Sequence, residues 1–99
     1  DGVNPYKCRS TETYFYNQGG KVLGEFIHPG IVNVTGLKDS GLKYGNLAVC
    51  RNTAVPSILL EIDYIIIPEA EERIQEKAFK ERIAEEIAGG LEEYLKTEI

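Results

Sequence analysis

Two carboxylates stand inside the apolar run ILLEIDYIII at residues 58–67: Glu61 and Asp63. Alternate residues of an extended strand share a face, so a strand here sets both on one side with Leu59 and Ile65. Their Cα atoms would then lie about 6.5 Å apart. Moving a carboxylate out of water costs several kcal/mol unless a partner or a purpose offsets it. A carboxylate toward the C-terminal end of such a strand, where open α/β sheets place their ligands, suits general acid/base chemistry. The plainer reading is a strand emerging into solvent, or a salt bridge to Arg51 or Lys43. Spacing alone favours the plainer reading.

Other residues offer less. His28 is the only histidine, and its place before Pro29-Gly30 reads as a helix C-terminus, where a protonated imidazole is favourable. Cys8, His28 and Cys50 follow no zinc-site spacing. Two cysteines are too few for a disulfide framework. A bridge between Cys8 and Cys50 stays open, although Cys50 in LAVCR reads as a small buried residue on a strand. Gly19-Gly20 reads as a turn and not as a phosphate loop. With no second histidine and no motif around a serine or cysteine, a hydrolytic triad has no support. The aromatics Tyr14, Phe15 and Tyr16 read as strand core and cover, with a sugar-stacking surface as the alternative.

These side chains must be held by a modest set of elements. TETYFYN (residues 11–17) has strand composition, and KVLGEFIH (21–28) reads as a short helix ended by Pro29-Gly30. Val22, Leu23, Phe26 and Ile27 give that helix a buried face. IVNVTGLKDSGLKYG reads as connection. NLAVCR (46–51) is a second strand, and SILLEIDYI (57–65) a third, hydrophobic enough to have both faces covered as in a central parallel strand. From Pro68 the period turns helical, with acids in the first turn. A final helix over 79–97 carries Ile83, Ile87, Leu91 and Leu95 at spacings of four, flanked by Ala84, Ala88 and Tyr94. Gly89-Gly90 raises the question of a break. The order β, α, β, β, α, α fits an α/β layer structure, and three strands read as half a sheet.

Ninety-nine residues form one small domain or part of one. A net charge of −5 argues against a nucleic-acid partner, which wants a basic face. No apolar run is long enough to span a bilayer, and DGVNPYKCRS lacks the apolar stretch of a signal peptide.

Taken together, these segments resemble the C-terminal half of zinc-dependent N-acetylmuramoyl-L-alanine amidases. The resemblance runs through STETYFYN, KVLGEFIHPGIVNVTGL, DSGLK, NLAVCRNTAVPSILLEIDY, PEAEERI and RIAEEIAGGLEEYL. Its most specific part is the Arg-x₄-Pro-x₄-Glu spacing of Arg51, Pro56 and Glu61. The implied fold is α/β: a partial amidase-type mixed or parallel sheet flanked by helices, residues 1–99 forming one partial domain that lacks its N-terminal half.

By this resemblance Glu61 falls on the family's catalytic glutamate, which takes a proton from a zinc-bound water and delivers it to the leaving amine. The bond cut joins N-acetylmuramic acid to L-alanine in peptidoglycan. Arg51 is a candidate for substrate binding. The family's two histidines and one glutamate that hold zinc are expected upstream of Asp1, so no metal is expected for this chain alone. The chain alone is expected to be inactive, and its parent protein to work at the cell envelope or outside the cell. Ser40, Asp63, Tyr64 and Ile66-Ile67 depart from the family pattern. The changes at Ser40, Asp63 and Ile66-Ile67 motivate a rival reading: a non-catalytic, amidase-like module that binds cell-wall glycopeptide or a protein. An exposed half-sheet edge is also expected to favour self-association.

Overall fold

The computed structural model describes residues 9–51, 54–63 and 67–97. The chain runs β1 (Ser10–Phe15), α1 (Gln18–Thr35), β2 (Lys38–Tyr44), a 3₁₀ turn (Ala48–Cys50), β3 (Ile58–Glu61), α2 (Pro68–Gln75) and α3 (Lys77–Thr97). The sheet is mixed, in the order β2-β1-β3, with β2 parallel and β3 antiparallel to β1. The α/β class and the order of strands and helices agree with the sequence reading. Several boundaries do not.

Asn17 caps α1, its side chain accepting from the Gly20 amide at 3.0 Å, so Gly19 and Gly20 open a helix and form no turn. The helix then passes through Pro29 and stops at Gly36, a left-handed cap whose amide reaches the Val32 carbonyl. Proline inside a helix costs about 3 kcal/mol. Here Leu23, Ile27, Ile31 and Val34 continue one buried stripe across it, and burying Ile31 and Val34 outweighs that cost. Pro29 itself faces solvent.

The segment read as connection therefore supplies the second half of α1 and all of β2. NLAVCR, read as a strand, instead holds the 3₁₀ turn. Cys50 there is a fully buried free thiol 3.8 Å from the Tyr14 carbonyl oxygen. Cys8 lies outside the described residues. The third strand is shorter than its apolar run suggests, ending at Glu61, and lies at an edge of the described sheet instead of its centre. Ile58, Leu60 and Ile62 pack on the core, so that run owes its hydrophobicity to one covered face and the residues just beyond the strand.

The core lies between α1 and α3, with Leu23, Ile27, Ile31, Val34, Phe79, Ile83 and Tyr94 at its centre. Pro68 takes the first position of α2, and Glu69 and Glu71 occupy its first turn, as the sequence suggests. Helix α3 is unbroken at Gly89-Gly90. A Cβ on Gly90 would stand 2.7 Å from the Phe26 carbonyl oxygen, so its missing side chain lets the two helices touch. Leu91 and Leu95, expected on the buried stripe, are 41% and 53% exposed. Each four-residue step overshoots a turn by about 40°, which carries Leu95 about 120° from Ile83. Tyr94, eleven residues from Ile83, returns to the same face and is buried.

Candidate active site

The strand pairing brings the carboxylates together. Glu12 on β1 lies directly opposite Glu61 on β3, so the two share a face with Cβ atoms roughly 5 Å apart. Tyr14 and Leu59 form the next pair on that face, while Thr13, Leu60, Phe15 and Ile58 belong to the face that α1 covers. Glu61 is exposed, and its carboxylate makes no hydrogen bond or ion pair among the described residues. It borders a pocket of about 190 Å³ lined by Leu60, Ile62, Asp63 and Ile74.

Glu12, by contrast, is fully engaged. Lys43 donates to its Oε2 at 2.6 Å and the Tyr14 hydroxyl to its Oε1 at 2.7 Å. The Lys43 hydrogen bond holds the Glu12 carboxyl below its ordinary value, ahead of a smaller opposing effect of burial. Donating to that carboxylate in turn raises both the Lys43 ammonium and the Tyr14 phenol. Lys43, weighed in the sequence as a partner for Glu61 or Asp63, thus neutralises the carboxylate beside Glu61 and leaves Glu61 itself free.

Asp63 has a different role. Arg9 grips it with Nη2 at 2.7 Å and Nε at 3.2 Å, and the Asp63 side chain is only 4% exposed. The strand has ended two residues earlier, so period-two counting no longer applies and Asp63 turns away into a buried ion pair. Arg51 is exposed beside the 3₁₀ turn, and its guanidinium makes no hydrogen bond or ion pair among the described residues. Of the departures from the family pattern, Tyr64 and Ile66 lie outside the described residues. Ile67 is the buried N-cap of α2, and Ser40 sits in a bulge of β2 and not in a turn.

His28 corrects the sequence reading most sharply. It lies mid-helix, 4% exposed, with Nδ1 2.7 Å from Thr13 Oγ1 and Nε2 2.6 Å from Asp39 Oδ1. The order hydroxyl, imidazole, carboxylate is that of a hydrolytic triad, but Thr13 is wholly buried and no substrate carbonyl can reach it. Asp39 is half exposed, and the bond to His28, followed by the Gly41 amide, holds its carboxyl below the ordinary value. Neither Thr13 nor Asp39 is marked by spacing in the sequence, because their contact with His28 depends on α1 crossing the sheet.

At the far end of β1 and β2, Tyr44 is 63% exposed and stacks on Tyr16 with ring centroids 5.8 Å apart. Phe15 meets Tyr44 edge-on at 6.4 Å. Among the described residues no group of three or more His, Cys, Asp or Glu side chains is close enough to hold a metal ion. The described residues do not fit a zinc centre.

The chain belongs to the N-acetylmuramoyl-L-alanine amidase family, whose profile matches residues 1–93. It is 30% identical over 94 residues to the probable cell wall amidase LytH of Staphylococcus saprophyticus, covering 95% of this chain and 32% of that protein. The putative N-acetylmuramoyl-L-alanine amidase YrvJ of Bacillus subtilis is 27% identical over 74 residues, 75% of this chain and 14% of its own length. Among solved structures, the catalytic domain of the amidase CwlV from Paenibacillus polymyxa superposes with a TM-score of 0.81 at 36% identity. That alignment covers 89% of this chain and 49% of the other. The N-acetylmuramoyl-L-alanine amidase of Clostridium difficile 630 gives 0.79 at 28% identity, with the same coverages. The chain thus spans about a third of the staphylococcal relative and about half of the solved domains.

Proposed function

We propose that this chain supplies the general acid/base half of a peptidoglycan amidase that cuts the amide between N-acetylmuramic acid and L-alanine. The observation that carries the reading is Glu61: an exposed carboxylate at a strand end, bordering a pocket, with its neighbour Glu12 already neutralised by Lys43. In hydrolysis such a carboxylate takes the proton of the attacking water and returns it to the departing nitrogen, so that L-alanine leaves as an amine. Glu61 has no competing partner among the described residues, which suits a group that must exchange a proton. Family membership supports the substrate class. The zinc that the family resemblance implies would need ligands from elsewhere in the polypeptide. The cell-wall names of the relatives support work at the cell envelope. The test is muropeptide cleavage by the polypeptide that carries this chain. Glu61→Gln should lower kcat by at least about 10²-fold, the usual contribution of a positioned acid/base group, with the fold unchanged. Full activity in that variant would remove Glu61 from the mechanism.

A second reading, glycopeptide binding without turnover, is favoured by one observation: the exposed Tyr44 ring held by Tyr16 and Phe15. A rigid aromatic face of this kind can pack against a sugar ring at little entropic cost. If it does, Tyr44→Ala should weaken muropeptide binding in an NMR titration. Unchanged affinity would remove the aromatic platform from consideration.

A further inference from the structure

The buried histidine and the carboxylate pair Glu12 and Glu61 sit on opposite faces of the sheet, yet one backbone feature joins them. Thr11 pairs with Asp39 and Glu12 with Gly41, which leaves Ser40 as the extra residue of a bulge. Gly41 adopts φ +78°, a conformation that a side chain resists. After the bulge Leu42 falls opposite Thr13 and Lys43 opposite Tyr14. If β2 instead ran in regular register, with Ser40 opposite Glu12, every later side chain of the strand would change faces. Lys43 would then lie opposite Phe15, on the side that α1 covers, and Glu12 would lose its cation.

Asp39 holds the bulge in place. Its Oδ1 accepts the Gly41 amide at 2.8 Å and faces His28 Nε2 at 2.6 Å. An ionised carboxylate only accepts, so Nε2 carries a proton. At the other ring nitrogen the Thr13 hydroxyl can donate or accept, and the contact survives whether the imidazole is neutral or charged. His28 is anchored between Ile27 and Ile31 on the core-facing side of α1. The chain of contacts therefore runs from the rigid core through His28 and Asp39 to the bulge, and from the bulge through Lys43 and Glu12 to the face that bears Glu61.

We infer that His28, acting through Asp39, is a positioning residue for the Glu61 face: it locks the bulge that keeps Lys43 on Glu12. Its catalytic consequence rests on the role proposed for Glu61, whereas the coupling from His28 to Glu12 does not. The measurement is a ¹³C NMR titration of the Glu12 side-chain carboxyl in this chain. The wild type should titrate below the ordinary value of 4.5, and Lys43→Met should move it upward. His28→Leu should reproduce the Lys43→Met shift with a dispersed amide spectrum, and His28→Gln, which keeps a donor for Asp39, should recover part of the wild-type position. Should His28→Leu fail to fold, Asp39→Ala at its half-exposed position carries the test, with the same upward shift expected. Wild-type titration of Glu12 in a folded His28→Leu or Asp39→Ala variant overturns the inference. No substrate is involved, so that failure would leave the proposed role of Glu61 untouched.

Discussion

Glu61 and Glu12 show how two identical side chains in register come to differ. One is clamped by a lysine and a tyrosine, the other is left open at a pocket rim. That division carries a pH consequence. The carboxyls of Glu12 and Asp39 both titrate lower in the folded chain than their ordinary values of 4.5 and 3.8. A depressed folded value means that the stabilisation is present above the unfolded value and disappears as pH falls through the folded one. Chemical denaturation should therefore show a constant contribution from these groups above about pH 5, declining through pH 4 and below. Glu12→Gln should flatten that decline, and an unaltered acid limb would contradict the assignment. At this scale the sequence marks Glu61 as unusual and misleads about Asp63 and His28. The oddity of a charge in an apolar strand is visible in one dimension. The partners Arg9, Thr13 and Asp39 lie 54, 15 and 11 residues away, and only the folded chain brings them into contact.

Among the elements, the helices were legible in kind and the strands in number. Periodicity found α2 and α3, and the acids after Pro68 marked the start of α2. It failed at α1 because a local rule about proline was set against tertiary burial, which decided the outcome. It failed at β2 because KDSGLKY alternates poorly: a bulge shifts the pattern halfway along. A cap at the end of α1 also went unseen. Arg73 donates to the Thr35 and Val34 carbonyl oxygens at 2.7 and 2.9 Å, while its guanidinium lies 4.6 Å over the Phe79 ring. The contact between α1 and α3 gives a direct test. Gly90→Val would push a side chain into the Phe26 carbonyl and Ile27, and should destabilise the chain by about 1–3 kcal/mol in urea unfolding. A change below a few tenths would mean that the helices do not approach this closely.

For the whole molecule, one face of the sheet is built for stability and the other for exposure. Helix α1 seals the first face with Thr11, Thr13 and the core stripe, while Glu12, Tyr14, Lys43 and Glu61 share the second. Strand β3 presents its outer edge unpaired among the described strands, and Leu91 and Leu95 remain exposed on α3. Light scattering of this chain should consequently show concentration-dependent association. A monodisperse monomer across the accessible range would show that the edge is protected. No described helix is long and apolar enough to cross a membrane. The central claim is that Glu61 serves hydrolysis of the amide between N-acetylmuramic acid and L-alanine. It is tested most directly by product analysis, using purified muropeptide and the polypeptide that carries this chain. New L-alanine amino termini should appear without new reducing sugar ends, and Glu61→Gln should abolish them. Reducing ends, or undiminished alanine termini in the variant, would contradict the account.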